Sequence, residues 1–474
     1  MYGEALLCLQ NITKKGKKKM FEKVFKLSKN RTNVKTEIMA GITTFMTMAY
    51  ILAVNPSILS AAGMDSTAVL LATAFASFIG TCCMAFMANL PFALSAGMGL
   101  NAYLAFTVVG NMGYPWQIAL LAVFVEGLIF IALSLTNVRE AIFNAIPLTL
   151  KRGVSVGIGL FIAFIGLQNA KLCVAEGSTL VTITKFTENF RSTGITALLA
   201  VVGVLITAIL HVKKVKGAIL LGIIATWLLG IICQLTGLYV PNPELECYSV
   251  IPQQFISFDF SAIGKTAGQC FNFDWSQIKI LDFIVVVFAF LFVDLFDTLG
   301  TLIGVATKAN MLDKDGRLPR IKPALMADAI GTSVGAVLGT STVTTFVESA
   351  AGVSTGGRTG LTALTTAILF LLSALFAPLF TSIPSFATAP ALIMVGFLMV
   401  STVAEIRFDD ENLTEAIPAF ITIIAMPLFY SISEGISLGI ISYVLLNVCT
   451  GKAKKVKPLM YILAVLFVLK YIFL

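Results

Sequence analysis

The sequence predicts an all-α polytopic membrane protein of about 14 transmembrane segments, arranged as two inverted repeats of seven. Three observations support this class. Of the 474 residues, 57% are hydrophobic and only 12% are charged, about half the charged fraction of a soluble domain. Apolar runs of about 20 residues, the length of a membrane-crossing helix, recur along the chain. The basic residues lie mainly in the short loops between these runs, which is typical of cytoplasmic loops and argues against a nucleic-acid partner.

The apolar runs define the segments in chain order. Those of the first half are segment 1 (38–60), segment 2 (67–88), segment 3 (91–110), segment 4 (116–136), segment 5 (150–169), segment 6 (193–211) and segment 7 (217–236). Those of the second half are segment 8 (280–306), segment 9 (322–338), segment 10 (340–354), segment 11 (359–380), segment 12 (386–403), segment 13 (413–430) and segment 14 (432–449). A last apolar run, 458–473, is short for a full span, and whether it crosses the membrane, dips into it or lies along it stays open.

The segments divide the chain into five parts. These are a cytoplasmic basic N-terminal segment (1–36), a first seven-segment repeat (37–237), an extracellular linker (238–279), a second, inverted repeat (280–451), and a basic cytoplasmic loop with an apolar C-terminal segment (452–474). We expect a disordered leader at residues 1–19. The loop charges predict a cytoplasmic N-terminus and a location in the cell membrane.

Two aspartates interrupt the apolar run of segment 8. Asp294 and Asp297 are three residues apart, which places both on one helix face. A carboxylate at membrane depth costs about 2.5–3.5 kcal/mol, so such residues are kept for an ion or substrate site. Glu348 in segment 10 is a third acid in a membrane segment. These acids predict a transporter site.

Segments 3 and 10 occupy matching places in the two repeats, and neither reads as a regular apolar helix. Each opens with a short extended stretch and continues with small residues, among them Gly97, Gly99 and Gly352. Broken segments at corresponding positions indicate a transporter binding site, because irregular backbone at membrane depth is tolerated only beside a protein-lined cavity. The N-termini of two half-helices would offer hydrogen-bond donors, and the carboxylates would offer hydrogen-bond acceptors. A flat heterocycle that carries both kinds of group would suit such a site.

Four motifs carry a resemblance to a known family. They are residues 36–50 with Asn55-Pro56, residues 95–102, residues 292–301 and residues 339–352. They resemble the azaguanine-like (AzgA) branch of the nucleobase:cation symporters, the adenine/guanine/hypoxanthine permeases, over about residues 20–474. The resemblance implies a uracil-permease-type fold with a core domain (segments 1–4 and 8–11) and a gate domain (segments 5–7 and 12–14). It also implies uptake of purine nucleobases by proton symport.

The resemblance assigns roles to individual residues. Asp294 and Glu348 would hold the base, and Phe346 would stack on it. Asp297 matches a second family acid and Asn101 a polar residue of segment 3, while Thr298 falls where the more distant uracil branch has a histidine. From the chemistry alone, the backbone amides near the start of the segment 3 half-helix would donate to the base, namely those of Gly97, Met98 and Gly99. Carboxyl groups crowded in a poorly hydrated site cannot all stay ionised, so proton coupling is assigned to the three acids, Asp294, Asp297 and Glu348.

Other interpretations remain open. Asp294 and Glu348 would be structural if they capped the broken helices. Glu126 and Asp328, which also lie in apolar runs, are left open as residues that support the site or contacts between core and gate, and neither is assigned to the site itself. An anion exchanger or channel of the same fold predicts a cationic site, and sodium-coupled nucleobase uptake would need no proton. An intramembrane aspartic protease would carry its aspartates on separate helices.

We expect no enzymatic activity, no cofactor and no metal, since the eight cysteines contain no CxxC pair. The predicted partners are a purine nucleobase, a co-transported proton and the lipid bilayer. The preferred base and the oligomeric state, with a homodimer as one alternative, are left open.

Overall fold

The computed structural model describes residues 21–135, 146–242, 245, 247–252, 254–274, 278–308, 311–312 and 318–473. The leader expected at residues 1–19 lies outside these ranges, as do parts of the linker and of the loops after segments 4 and 8. Among the described residues, ten helices are long and apolar enough to cross a membrane. The predicted all-α polytopic class is therefore confirmed.

The helices of the first repeat follow the predicted order. Segment 1 is divided into Val34–Met48 and Ile51–Ser60 by an interruption at Ala49 and Tyr50, and Pro56 lies inside the second helix. The other helices outside segment 3 are Ser66–Cys83 with the π-helical turn Met84–Ala88, Trp116–Leu135, Leu148–Asn169, Ile195–Val212 after the π-helical turn Phe190–Gly194, and Ala218–Leu235.

The second repeat also keeps its predicted order. Its helices outside segment 10 are Ile280–Lys308, Ile321–Leu338, Gly360–Ser373 continued by Ala377–Thr381, Ser385–Val400, Leu413–Leu428 and Ile432–Cys449. Segment 13 is two residues shorter than expected and contains Pro418 and Pro427. Segment 14 has the predicted bounds.

Segments 3 and 10 are broken as predicted. Segment 3 begins with strand β1 (Leu94–Ala96), continues as the helix Met98–Ala102 and ends as the π-helical stretch Tyr103–Asn111. Segment 10 consists of a strand, Val343–Thr345, which is β4 in chain order, and the helix Ser349–Ser354. The two strands pair in antiparallel fashion with Ser95 opposite Thr344. This two-stranded ribbon joins the matching segments of the two repeats.

A second ribbon lies between segments 5 and 6 and was not predicted. Strands β2 (Cys173–Glu176) and β3 (Leu180–Ile183) form an antiparallel hairpin. The stretch is rich in valine, threonine and isoleucine, which favour extended backbone. It is too short and too exposed to give the apolar signal used to assign the segments.

Helix packing separates into two groups. In one group, segment 9 lies against segments 2 and 4, and segment 11 lies against segments 1 and 2. Gly80 and Gly331 allow the close approach of segments 2 and 9, because a β-carbon on Gly80 would lie 3.3 Å from the Gly331 α-carbon. In the other group, segments 12 and 13 pack on segment 5, and segment 14 packs on segment 13. The division into core and gate domains stays a prediction.

The last apolar run forms the helix Pro458–Phe473. It packs against segment 14. The Tyr471 hydroxyl in its last turn donates to Glu434 in the first turn of segment 14, and the Phe467 ring meets Phe288 of segment 8. The helix is therefore antiparallel to segment 14 and covers nearly its whole length, rather than lying across its end.

Candidate functional site

The candidate site lies where segments 1, 8 and 9 meet the β1–β4 ribbon. Segment 8 contributes Asp294 and Thr298, which are both completely buried, and Asp297, which is partly buried. Their spacing on the helix Ile280–Lys308 places them on one face. Most of their hydrogen-bond partners described here belong to other segments, so the site is a product of tertiary packing.

The Thr298 hydroxyl connects two buried carboxyl groups. Its oxygen lies 2.9 Å from Asp294 Oδ1 and 3.1 and 3.0 Å from the two carboxylate oxygens of Asp328. A hydroxyl has one hydrogen to donate and can otherwise accept. Both contacts are full hydrogen bonds at the same time if one of the two carboxyl groups carries a proton and donates it to Thr298, whereas with both groups ionised the one hydroxyl hydrogen is shared between them. This arrangement can hold a proton between segments 8 and 9.

The sequence interpretation did not assign Asp328 to the site, although it carries the same signal as Asp294. It is an acid within the apolar helix Ile321–Leu338, and it is completely buried. Its contact with Thr298 depends on how segment 9 packs against segment 8. Spacing along the chain does not reveal that contact.

The strand β4 supplies hydroxyl groups to two different acids. Thr344 Oγ1 lies 3.3 Å from Asp297 Oδ2, and Thr345 Oγ1 lies 3.4 Å from Asp328 Oδ1. Successive side chains of a strand point to opposite faces. Two neighbouring threonines can therefore reach acids on segments 8 and 9 at the same time. Asp297 is also within electrostatic range of Asp328 and Glu348.

Glu348 immediately precedes the half-helix Ser349–Ser354, but its side chain makes no capping hydrogen bond there. Its Oε1 instead accepts from the Tyr50 hydroxyl at 2.6 Å. Tyr50 lies at the interruption of segment 1 and is 1% exposed. The sequence interpretation included Tyr50 in a family motif but did not place it in the site. Glu348 itself is partly exposed, and the neighbouring Val347 is 53% exposed.

Asn101 of segment 3 faces segment 10. Its side-chain oxygen accepts from the Ser341 hydroxyl. Its amide nitrogen is buried and has no hydrogen-bond acceptor among the described residues. Asn101 thus bridges the two broken segments and keeps two donors that a ligand can use.

The glycines at the start of the segment 3 half-helix lie close to other segments. A β-carbon on Gly97 would lie 3.1 Å from Thr344 Oγ1, and one on Gly99 would lie 2.9 Å from the Ile158 side chain of segment 5. Met98, between them, is buried. Gly97 therefore permits the close pairing of β1 and β4, and Gly99 lies where segment 3 passes segment 5.

Phe346 follows β4 directly. Its backbone N–H donates to the carbonyl of Ala93 at 3.0 Å, which continues the ribbon by one residue. The ring is 7% exposed and belongs to the main apolar cluster. Phe346 is therefore two residues from Glu348, at the edge between the buried cluster and the exposed Val347.

A cavity of about 370 Å³ lies elsewhere, next to the linker. Its lining includes Tyr114, Lys279 and Asp282, and the Tyr114 hydroxyl donates to Asp282 Oδ2 at 3.0 Å. Asp282 precedes Asp294 by three helical turns, about 18 Å along the helix axis. The cavity is therefore separate from the acids of segments 8, 9 and 10.

The fold has known relatives among solved structures. The transmembrane domain of the cyanobacterial bicarbonate transporter BicA matches with a TM-score of 0.60 and 16% identity, over 85% of this chain and 97% of that domain. At that identity the match shows a shared fold. It agrees with the uracil-permease-type architecture that the resemblance implies.

Sequence relatives cover nearly the whole chain. The permease MJ0326 of Methanocaldococcus jannaschii is 50% identical over 96% of this chain and 99% of its own length. The guanine/hypoxanthine permease PbuG of Bacillus subtilis is 45% identical over 95% and 99%. The adenine permease AdeP of Escherichia coli is 41% identical over 98% of each chain. These matches confirm the resemblance predicted from the motifs of segments 1, 3, 8 and 10.

The family model Xan_ur_permease, described as "Permease family", matches residues 35–438. This range contains every acid and hydroxyl of the candidate site. The chain therefore belongs to the permease family and is a multi-pass membrane transporter rather than an enzyme.

Proposed function

We propose that the chain is a secondary active transporter that imports purine nucleobases (hypoxanthine, guanine or adenine) across the cell membrane by proton symport. The observation that carries this proposal is a cluster of acids beside the ribbon that joins the two broken segments: Asp297 lies within electrostatic range of Asp328 and Glu348, and Asp328 shares the Thr298 hydroxyl with Asp294. The relatives with 41% and 45% identity are named as an adenine permease and a guanine/hypoxanthine permease.

The site offers both kinds of group that a purine edge requires. Ring and exocyclic N–H groups of the base donate to Asp294 or Glu348, and such charge-assisted hydrogen bonds are the strong ones. Ring nitrogens and the carbonyl oxygen accept from the amide groups at the start of the segment 3 half-helix, at Met98 and Gly99, which have no acceptor within the helix. The Gly97 amide, which the sequence interpretation also counted as a donor to the base, already donates to the Thr342 carbonyl at 2.9 Å. The Asn101 amide is a further donor, and Phe346 presents a ring for stacking.

The proposed proton is held by the carboxyl groups of the site. Asp294 and Asp328 share the Thr298 hydroxyl, which needs a proton on one of the two carboxyls for both contacts to be full hydrogen bonds. Asp297 interacts electrostatically with Asp328 of that pair and with Glu348. One positive charge moving across 100 mV supplies about 2.3 kcal/mol, enough to concentrate a neutral base roughly 50-fold.

Transport is proposed to move the core domain (segments 1–4 and 8–11) against the gate domain (segments 5–7 and 12–14). The separation of helix packing into two groups supports this division. With a cytoplasmic N-terminus, Tyr430 lies on the extracellular side. Its hydroxyl donates to Gln168 of segment 5 at 2.8 Å, and its carbonyl accepts from Thr107 of segment 3 at 3.0 Å. This link between core and gate would have to open for a base to enter from outside.

The test is uptake of radiolabelled hypoxanthine, guanine and adenine by cells that lack their own purine carriers. We expect uptake of at least one base, abolished by a protonophore. We expect Asp294→Asn and Glu348→Gln to reduce uptake at least tenfold while the protein still reaches the membrane. Asp282→Asn is the matched control, because Asp282 lies on the same helix in the separate cavity.

Other outcomes would correct specific parts of the proposal. Uptake that survives the protonophore and depends on a sodium gradient would show that the coupling ion is sodium and not a proton. Transport of bicarbonate or another small anion without any purine uptake would favour the anion exchanger. Purine uptake by the Asp294→Asn and Glu348→Gln variants at the parental rate would place the binding site elsewhere.

A further inference from the structure

Tyr50 is in direct contact with one of the acids proposed to hold the base. We infer that Tyr50 is a positioning residue that occupies one oxygen of Glu348, so that the carboxylate binds a single N–H group of the base. This inference rests on the proposed function, because it concerns how the same site distinguishes between purines.

The contact is short and partly buried. The Tyr50 hydroxyl lies 2.6 Å from Glu348 Oε1, an ordinary length for a hydroxyl that donates to a carboxylate. Among the described residues, the Tyr50 hydroxyl is the side-chain group that donates to Glu348, and it donates to Oε1. Since Glu348 is partly exposed, we assign Oε2 to the ligand.

The position of Tyr50 in the chain makes this contact rigid. Tyr50 lies between the helices Val34–Met48 and Ile51–Ser60, and the amides of Ala53 and Val54 both donate to its carbonyl at 3.0 Å. The terminal torsion of a glutamate side chain is broad and weakly restrained by itself. A hydrogen bond from a buried phenol on a fixed backbone restricts that rotation.

This restriction decides how many donors the carboxylate can bind. A carboxylate with both oxygens available forms a bidentate pair with two adjacent N–H groups, as it does with arginine. Guanine carries such a pair, a ring N–H next to an exocyclic amino group, whereas hypoxanthine has the ring N–H alone. With Oε1 held by Tyr50, Glu348 gains little from the second donor.

Tyr50→Phe therefore changes selectivity. The substitution removes the hydroxyl and keeps the ring, so Glu348 becomes free to turn and accept two donors. Guanine should gain relative to hypoxanthine, from which it differs by one exocyclic amino group. Adenine and purine form the control pair, because the amino group of adenine stands between two ring nitrogens that carry no hydrogen.

The experiment measures the half-maximal inhibitory concentration of each base against uptake of the base that the parental protein transports best. For Tyr50→Phe we expect the affinity ratio of guanine to hypoxanthine to shift about fivefold or more toward guanine, and the ratio of adenine to purine to change less. The change should appear mainly in KM, with a smaller change in kcat. Tyr239→Phe is the matched control, because Tyr239 is also buried and donates at 2.6 Å, to the carbonyl of Tyr248.

A guanine-to-hypoxanthine ratio that stays within twofold, or an equal loss of affinity for all four bases, would overturn the inference. If Tyr50→Phe does not reach the membrane, the same ratios are measured for Tyr50→Met, which fills the space with an adaptable apolar side chain. Absence of purine uptake by the parental protein would contradict the proposed function, a result distinct from an unchanged ratio.

Discussion

The Thr298 hydroxyl is the point at which the candidate site is most sensitive to a small change. Thr298→Val replaces that hydroxyl by a methyl group of similar size, so the packing of segment 8 is kept. The hydroxyl contacts Asp294 and Asp328 at 2.9–3.1 Å. The valine variant leaves both carboxyl groups in place and removes the group that connects them.

The size of the effect follows from these contacts. Of the two hydrogen bonds, one is donated to a carboxylate, which is worth about 1.5–3 kcal/mol, and the other is received from the protonated partner, about 0.5–1.5 kcal/mol. The loss of both is about 2–4.5 kcal/mol. This range corresponds to a roughly 30- to 2,000-fold decrease in kcat/KM if the connection is needed during transport.

The assay is initial-rate uptake of the labelled base as a function of external pH, with the amount of protein in the membrane measured for each variant. Thr298→Ser keeps the hydroxyl and should stay within about fivefold of the parental protein. Thr226→Val is the control, because the Thr226 hydroxyl is also buried but donates to the Gly222 carbonyl of its own helix in segment 7. If Thr298→Val transported at the parental rate while Thr298→Ser did not, the methyl group and not the hydroxyl would be the important part.

Two further predictions concern the stability of segment ends. Glu37 is completely buried and accepts hydrogen bonds from the backbone and hydroxyl groups of Thr359 and Thr362 at the start of segment 11. Glu37→Ala should therefore lower the free energy of unfolding by about 3 kcal/mol or more. The measurement is thermal unfolding in detergent, and an unchanged midpoint temperature would contradict the prediction. Burial acts to raise the pKa of Asp65, but hydrogen bonds from Lys265 and from the first turn of segment 2 hold that pKa below its ordinary value. The contribution of Asp65 is therefore fully present above pH about 3.9 and is lost as the pH falls through the lowered pKa of the folded state. Asp65→Ala should cost about 1 kcal/mol at neutral pH, mostly through the lost cap, and a difference from the parental protein that does not shrink as the pH is lowered from neutral to about 3 would contradict the assignment.

Much of the fold could be predicted because it depends on properties of the chain itself. Apolar runs fix the lengths of the segments, and segment 14 has the bounds 432–449 in both the prediction and the structure. The breaks of segments 3 and 10 could be predicted from their small and polar residues. The β2–β3 hairpin could not, because a short β-branched run between two apolar helices has the composition of a loop.

The site could be predicted only in part. Asp294 and Glu348 stand out because a carboxylate in an apolar run is costly. Tyr50 became part of the site only through a contact with a residue 298 positions away, and Asp328 through a contact with a residue 30 positions away. The Tyr50 hydroxyl meets Glu348, and Asp328 meets Thr298. A tyrosine in a membrane helix is common and costs little to bury, so the sequence gives no reason to single it out before its partner is known.

The strand in segment 10 has a consequence that a continuous helix could not provide. On a helix, successive side chains point about 100° apart, so two neighbours do not point in opposite directions. On a strand, successive side chains point to opposite faces. Thr344 and Thr345 use this difference, since one contacts Asp297 of segment 8 and the other Asp328 of segment 9. Gly97 allows β1 to approach close enough to hold β4 in this extended form, because a β-carbon there would crowd Thr344. The break in segment 10 is therefore what lets two adjacent residues supply hydroxyl groups to acids on two different helices.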